Sequence, residues 1–138
     1  MRAVLCESFG GPETLVVREG PTPAPGPGEV LVETAFVGLN FFDTLLIRNK
    51  DQFKGAPPFS PGGEFSGRLA ALGAGVEGFR VGERVAGSMT FGAARSHLAV
   101  PASSIVKVPD AVSDEAAAGV FVTYGTTLHA LRQRGELK

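Results

Sequence analysis

The chain has 138 residues, 19 of them Gly and 10 Pro, with 13 basic and 14 acidic side chains for a net charge of −1. That length suits one domain with a sizeable core, and 43% apolar against 20% charged residues excludes a disordered chain. The balanced charge argues against nucleic acid or an anionic membrane as main partner, and a single Cys builds no disulfide framework, so a cytoplasmic setting is expected.

No apolar run approaches the ~20 residues of a membrane span, and the start has no signal-peptide core. Arg2–Glu7 reads as a strand ended by Gly10-Gly11-Pro12, and Leu15–Arg18 as a second. The proline-rich stretch 21–28 suits neither ladder nor helix and is expected to be an extended surface connection. Glu29–Val37 is the clearest strand, with apolar residues on both faces, so both faces are expected to be covered. Residues 40–47 read as a short helix with Asn40 at its N-cap. Glu64–Leu72, Arg84–Ser88, Ser96–Val100 and Ile105–Val108 complete the strands. Short strands at regular spacing, with Gly at the breaks, predict a partly open barrel or sandwich. After Pro109, Ser113 can cap a helix opening on Asp114 and Glu115. Its run 116–122 is apolar all round and is expected to be buried, with an interruption at Gly125.

Residues Gly73 to Gly78 match G-x-G-x-x-G, the dinucleotide-binding pattern. That chemistry needs a helix starting at the loop and an acidic residue about 20 positions on. Here Arg84 to Ala86 already reads as strand, and no Asp or Glu occurs between Val85 and Pro109, so the cluster is read as a β-turn. Cys6, His97 and His129 are the only soft or nitrogen ligands, with no C-x-x-C or H-E-x-x-H, so no metal is expected. There is no G-x-S-x-G elbow either. Asn40, Asp43 and Thr44 begin a helix after a strand, Gly62-Gly63-Glu64 opens the next strand, and the Thr123–Thr127 run interrupts the late helix. Polar residues at such ends can face a cleft, though caps and turn formers are the plainer reading.

These pieces occur in a familiar order: Gly10 to Leu15, Pro25 to Val32, Gly38-Leu39-Asn40-Phe41-Phe42-Asp43, Ser60-Pro61-Gly62-Gly63-Glu64, Leu72 to Val76, Phe79 to Val85, and Tyr124 to Leu131. Together they resemble the medium-chain dehydrogenase/reductase superfamily, in its zinc-free quinone oxidoreductase branch. The resemblance implies a mainly β fold with a few helices, a GroES-like (chaperonin-10-like) partly open barrel. Residues 1–112 would form that barrel on the substrate side. Residues 113–138 would form a helical segment leading into a dinucleotide-binding Rossmann domain beyond Lys138. The sequence in hand would then be a piece of a longer enzyme or a free-standing barrel.

The resemblance also implies NADPH as cofactor and hydride transfer to a quinone or conjugated carbonyl, with a homodimer as the complete enzyme. Zinc-dependent relatives hold metal through a Cys where Asn40 stands and a His where Gly63 stands, so zinc is not expected. Asn40 and Asp43 would lie beside the nicotinamide ribose and Thr127 near the carboxamide. Phe41, Phe42 and Tyr124 would wall the cleft, with barrel core as the competing assignment; no catalytic residue is assigned. Relatives often carry Tyr where Leu45 and Asp51 stand, and enoyl reductases use one of these in protonation. Neither tyrosine is present, which lowers an enoyl-thioester reductase to the alternative enzyme; an interaction module without catalysis is the alternative from another class.

Overall fold

The computed structural model describes residues Met1–Leu137. Strands β1 (Arg2–Cys6) and β2 (Leu15–Glu19) form an antiparallel ribbon, with Arg2 opposite Glu19 and Cys6 opposite Leu15. Five more strands make one antiparallel sheet: β3 (Glu29–Gly38), β4 (Glu64–Leu72), β5 (Arg84–Ser88), β6 (His97–Pro101) and β7 (Ile105–Lys107). Their order is β6-β3-β4-β5-β7, and bridges from Ala3 to Arg95 and from Cys6 to Phe59 join the ribbon to the sheet side.

Period-2 alternation explains the core. Phe65 and Leu69 of β4 meet Val30 and Val32 of β3, Val85 of β5, Leu98 and Val100 of β6 and Ile105 of β7 in one cluster. Residues from both edge strands reach that same cluster, so the sheet wraps into a partly open barrel. The other face of β4, with Glu64 and Ser66, is covered by α2 (Asp114–Ala118). Ser66 Oγ donates to Asp114 O at 2.6 Å, and Arg84 pairs with Asp114 at 2.8 Å. Ser113 caps α2 through the Ala116 N–H. A smaller cluster of Cys6, Leu46, Ile47 and Phe59 lies under the ribbon and α1 (Phe41–Leu46).

Three expectations need correction. Only the first half of β3 is covered on both faces, at Val30, Leu31 and Val32; Ala35 and Phe36 are exposed. The register with β4 shifts between Thr34 and Phe36, and this bulge re-aims the strand end. Gly125 does not interrupt the late helix. Its backbone is helical (φ −61°, ψ −46°), because a glycine inside a helical run costs only ~1 kcal/mol. The break falls at Gly119 (φ −112°, ψ 8°), after which wide π-type turns, Val120–Tyr124 and His129–Arg134, flank α3 (Gly125–Leu128). Nor is the apolar run 116–122 buried throughout: Ala117 and Ala118 are, but Val120 is exposed.

The Gly73–Gly78 cluster is a turn closed from Val76 N to Gly73 O, with no helix after it. No helix among the described residues is long and apolar enough to cross a membrane.

Candidate functional site

Where β3 ends, Asn40 turns the chain in an extended conformation (φ −125°, ψ 167°) and opens α1. Asn40 and Asp43 form a capping box in which Asp43 Oδ2 accepts the Asn40 N–H at 2.8 Å. The other oxygen, Oδ1, accepts the N–H of Gly62 at 2.8 Å, so one carboxylate ties α1 to the loop before β4. Asp43 is 5% exposed, and burial pushes its carboxyl above the ordinary range against the pull of those two N–H groups; Glu64 and Asp51 push the same way.

Glu64, 1% exposed, lies next in the network. Its Oε1 accepts Asn40 Nδ2 at 2.9 Å, and Oε2 accepts the N–H groups of Phe121 at 2.9 Å and Val122 at 3.1 Å. Three segments far apart in sequence, 40–43, 62–64 and 121–122, are therefore fastened at one end of the barrel.

A cleft of about 370 Å³ opens over this network, lined by Phe42, Asp51, Phe53, Gly63, Met89 and Val122 among others. Phe42 forms its floor with Gly63: a Cβ on Gly63 would collide with Phe42 Cζ and stand 3.1 Å from Cε1. Asp51 Oδ1 accepts the Phe53 N–H at 2.8 Å, which shapes the cleft's loop wall. A larger groove of about 440 Å³ runs between the ribbon and β3, past Thr34, Phe36 and Arg95, and touches none of the residues singled out from sequence.

Of the sequence candidates, only Phe42 lines the cleft; Asn40 and Asp43 belong to the hydrogen-bond network beside it and line a separate apolar pocket of about 200 Å³ with Leu15, Leu39 and Ile47. Phe41 is 76% exposed and outside the cleft, and Tyr124, 71% exposed, does not line it either. Thr127 is on the exposed late helix, its hydroxyl donating to Thr123 O. Asp43 is buried with both oxygens engaged, so it stands behind Asn40 as support instead of facing a ligand. Sequence reasoning placed Glu64 among polar residues at element ends that can face a cleft but gave it no role, and it missed Met89 and Val122. Among the described residues, no group of three or more His, Cys, Asp or Glu is placed to hold a metal ion.

Comparison with known proteins gives concordant results. The alcohol dehydrogenase GroES-like domain family matches residues 26–110. Quinone oxidoreductase-like protein 2 of Mus musculus is 36% identical over 137 residues, 99% of this chain and 39% of that protein. The human synaptic vesicle membrane protein VAT-1 homolog-like protein superposes with a TM-score of 0.96 at 30% identity, over 100% of this chain and 45% of its own. The Escherichia coli quinone oxidoreductase, solved in complex with NADPH, gives 0.91 at 29% identity, over 97% and 41%. The chain thus spans less than half the length of these proteins.

Proposed function

The chain belongs to the alcohol dehydrogenase GroES-like domain family, within the medium-chain dehydrogenase/reductase superfamily, and from that premise we propose that it is the substrate-side half of a zinc-independent, NADPH-dependent quinone oxidoreductase. The observation that carries the reading is the cleft floor. Where zinc-dependent relatives would need a histidine, Gly63 offers no side chain and the Phe42 ring covers it. Where they would need a cysteine, the Asn40 amide donates to Glu64. These residues do not fit a zinc ion, so no step runs through one.

A flat, uncharged carbonyl compound suits such a floor. Phe42, Phe53, Met89 and Val122 offer apolar and aromatic surface on which a quinone ring can stack and from which water is displaced. NADPH, when bound, would supply a hydride to the quinone, and the matching proton would come from solvent. Asn40 and Thr127 carry polar groups suited to the nicotinamide end, with Asp43 holding Asn40 in place. Orientation and dryness are the protein's contribution, in keeping with a cleft that has no tyrosine to act as an acid. That same lack favours a quinone over an enoyl thioester. The dinucleotide domain beyond these residues, a homodimeric assembly and a cytoplasmic location belong to the same proposal; the buried free thiol of Cys6 is compatible with a reducing compartment.

Mapping backbone amide shifts while titrating a neutral naphthoquinone tests the cleft. Shifts concentrated on Phe42, Gly63, Met89 and Val122 are expected. Shifts confined to the groove near Thr34 and Arg95, or none at saturating quinone, would overturn the assignment.

A further inference from the structure

Glu64 is a carboxylate inside the protein with no lysine or arginine beside it among the described residues. An ionised group in that position needs donors, and it has three: the Asn40 amide and the backbone N–H groups of Phe121 and Val122. Those two N–H groups belong to the first turn of the helix over residues 120–134. The first turn of a helix leaves its N–H groups without intrahelical acceptors, and its dipole end is positive. A strand residue thus caps a helix 57 residues further along the chain.

The packing around this contact is close. A Cβ on Gly38 would strike Ala118 O and come within 2.5 Å of Glu64 Cγ, so the end of β3, the start of β4 and the end of α2 meet without intervening side chains. At Gly119 the helical path breaks, and among the described residues only the Glu64 contact re-anchors it at Phe121 and Val122 by side-chain hydrogen bonding. Val122 is also a wall of the cleft and Gly63, next to Glu64, its floor. Beyond Val122, Tyr124, Leu128 and Leu131 present an exposed apolar face at helical spacing.

We propose that Glu64 is a positioning residue, a latch that joins the cleft floor to the 120–134 helix and fixes the distance between Gly63 and Val122. The consequence for substrate rests on the cleft reading above; the latch itself does not. Asn40 orients the carboxylate through Oε1, leaving Oε2 for the helix. The latch also sets the direction in which the exposed apolar face leaves the barrel.

Amide hydrogen exchange on this chain separates the acceptor role from mere packing. Glu64→Met keeps the volume and removes the acceptor; Glu64→Gln keeps one acceptor oxygen. In the wild type, the Phe121 and Val122 amides are expected to be protected. In Glu64→Met both should exchange about tenfold faster or more, while Leu69 N–H, which donates to Glu83 O inside the barrel, keeps its rate. Glu64→Gln should recover most of the protection. Naphthoquinone affinity, read from the Gly63 and Val122 shifts, should fall severalfold in Glu64→Met and stay near wild type in Glu64→Gln. Should Glu64→Met fail to fold, Asn40→Ala decides: it removes the Oε1 contact together with the α1 cap, and should speed the same two amides about threefold while Leu69 N–H keeps its rate. Wild-type protection at both amides in Glu64→Met, or in Asn40→Ala where that variant decides, would overturn the latch, as would unprotected amides in the wild type. Protected wild-type amides that Glu64→Met releases, with no quinone-dependent shift, would uphold the latch and refute the cleft.

Discussion

Replacing Asp43 by Asn changes two atoms' chemistry and almost no volume. The native carboxylate accepts one N–H on each oxygen, from Asn40 and from Gly62, both at 2.8 Å. A carboxamide has one oxygen, so its NH2 must face one of those donors. Leaving one buried N–H unsatisfied costs ~1–3 kcal/mol, partly offset because the buried charge is gone. A net loss of about 1–2 kcal/mol at neutral pH follows, or a urea midpoint lowered by about 0.5–1 M. The pH dependence supplies a second, signed test. Burial raises the folded carboxyl's pKa above the ordinary 3.8, so the folded state holds its proton more tightly than the unfolded chain does. Wild-type stability from this group therefore rises as pH falls through the raised value and levels off below 3.8. Asn does not titrate, so the deficit of Asp43→Asn should widen on acidification. Urea unfolding of both proteins across that window measures it, with other carboxylates cancelling in the difference. A variant as stable as wild type at neutral pH, or a deficit that narrows on acidification, would refute the account of Asp43 as a buried double acceptor.

Three other outcomes are expected. Arg84→Ala removes the pair with Asp114 at 2.8 Å and the bonds to Val112 O and Pro109 O, so α2 should loosen from β5 at a cost of ~1–3 kcal/mol by thermal or urea unfolding. Leu128→Glu places charge on the exposed face of the late helix and should reduce binding of a hydrophobic dye and self-association without lowering stability; unchanged dye binding would mean that this face is not the sticky surface. NADPH titrated into the 138-residue chain should show no tight binding, because Asn40 and Thr127 alone offer little cofactor surface; micromolar affinity would contradict a cofactor site lying mainly outside these residues.

Much of the fold was legible because it is local. The alternation of Phe65, Gly67 and Leu69 and the glycine breaks fix β4 and β5 at their observed ends. Asn40 and Asp43, three residues apart before an apolar run, carry a capping signature readable in one dimension. The Gly73–Gly78 turn was separable from a phosphate loop by the strand that follows. The role of Glu64 was not legible, though its place at a strand opening was: its helix partners are 57 and 58 residues away. Gly125 misled because glycine marks a turn only when the backbone needs a conformation other residues avoid, and here it is helical. The exposure of Val120, inside a run expected to be buried, depends on what covers it, which the run's own composition cannot specify.

The central claim is tested most directly by NADPH oxidation by the product of the complete reading frame that contains this chain, with a neutral naphthoquinone and an enoyl thioester offered in parallel and a strong chelator present. The account predicts quinone-dependent NADPH consumption that the chelator leaves unchanged. Turnover of the enoyl thioester alone, loss of activity on chelation, or no turnover of either substrate would contradict it.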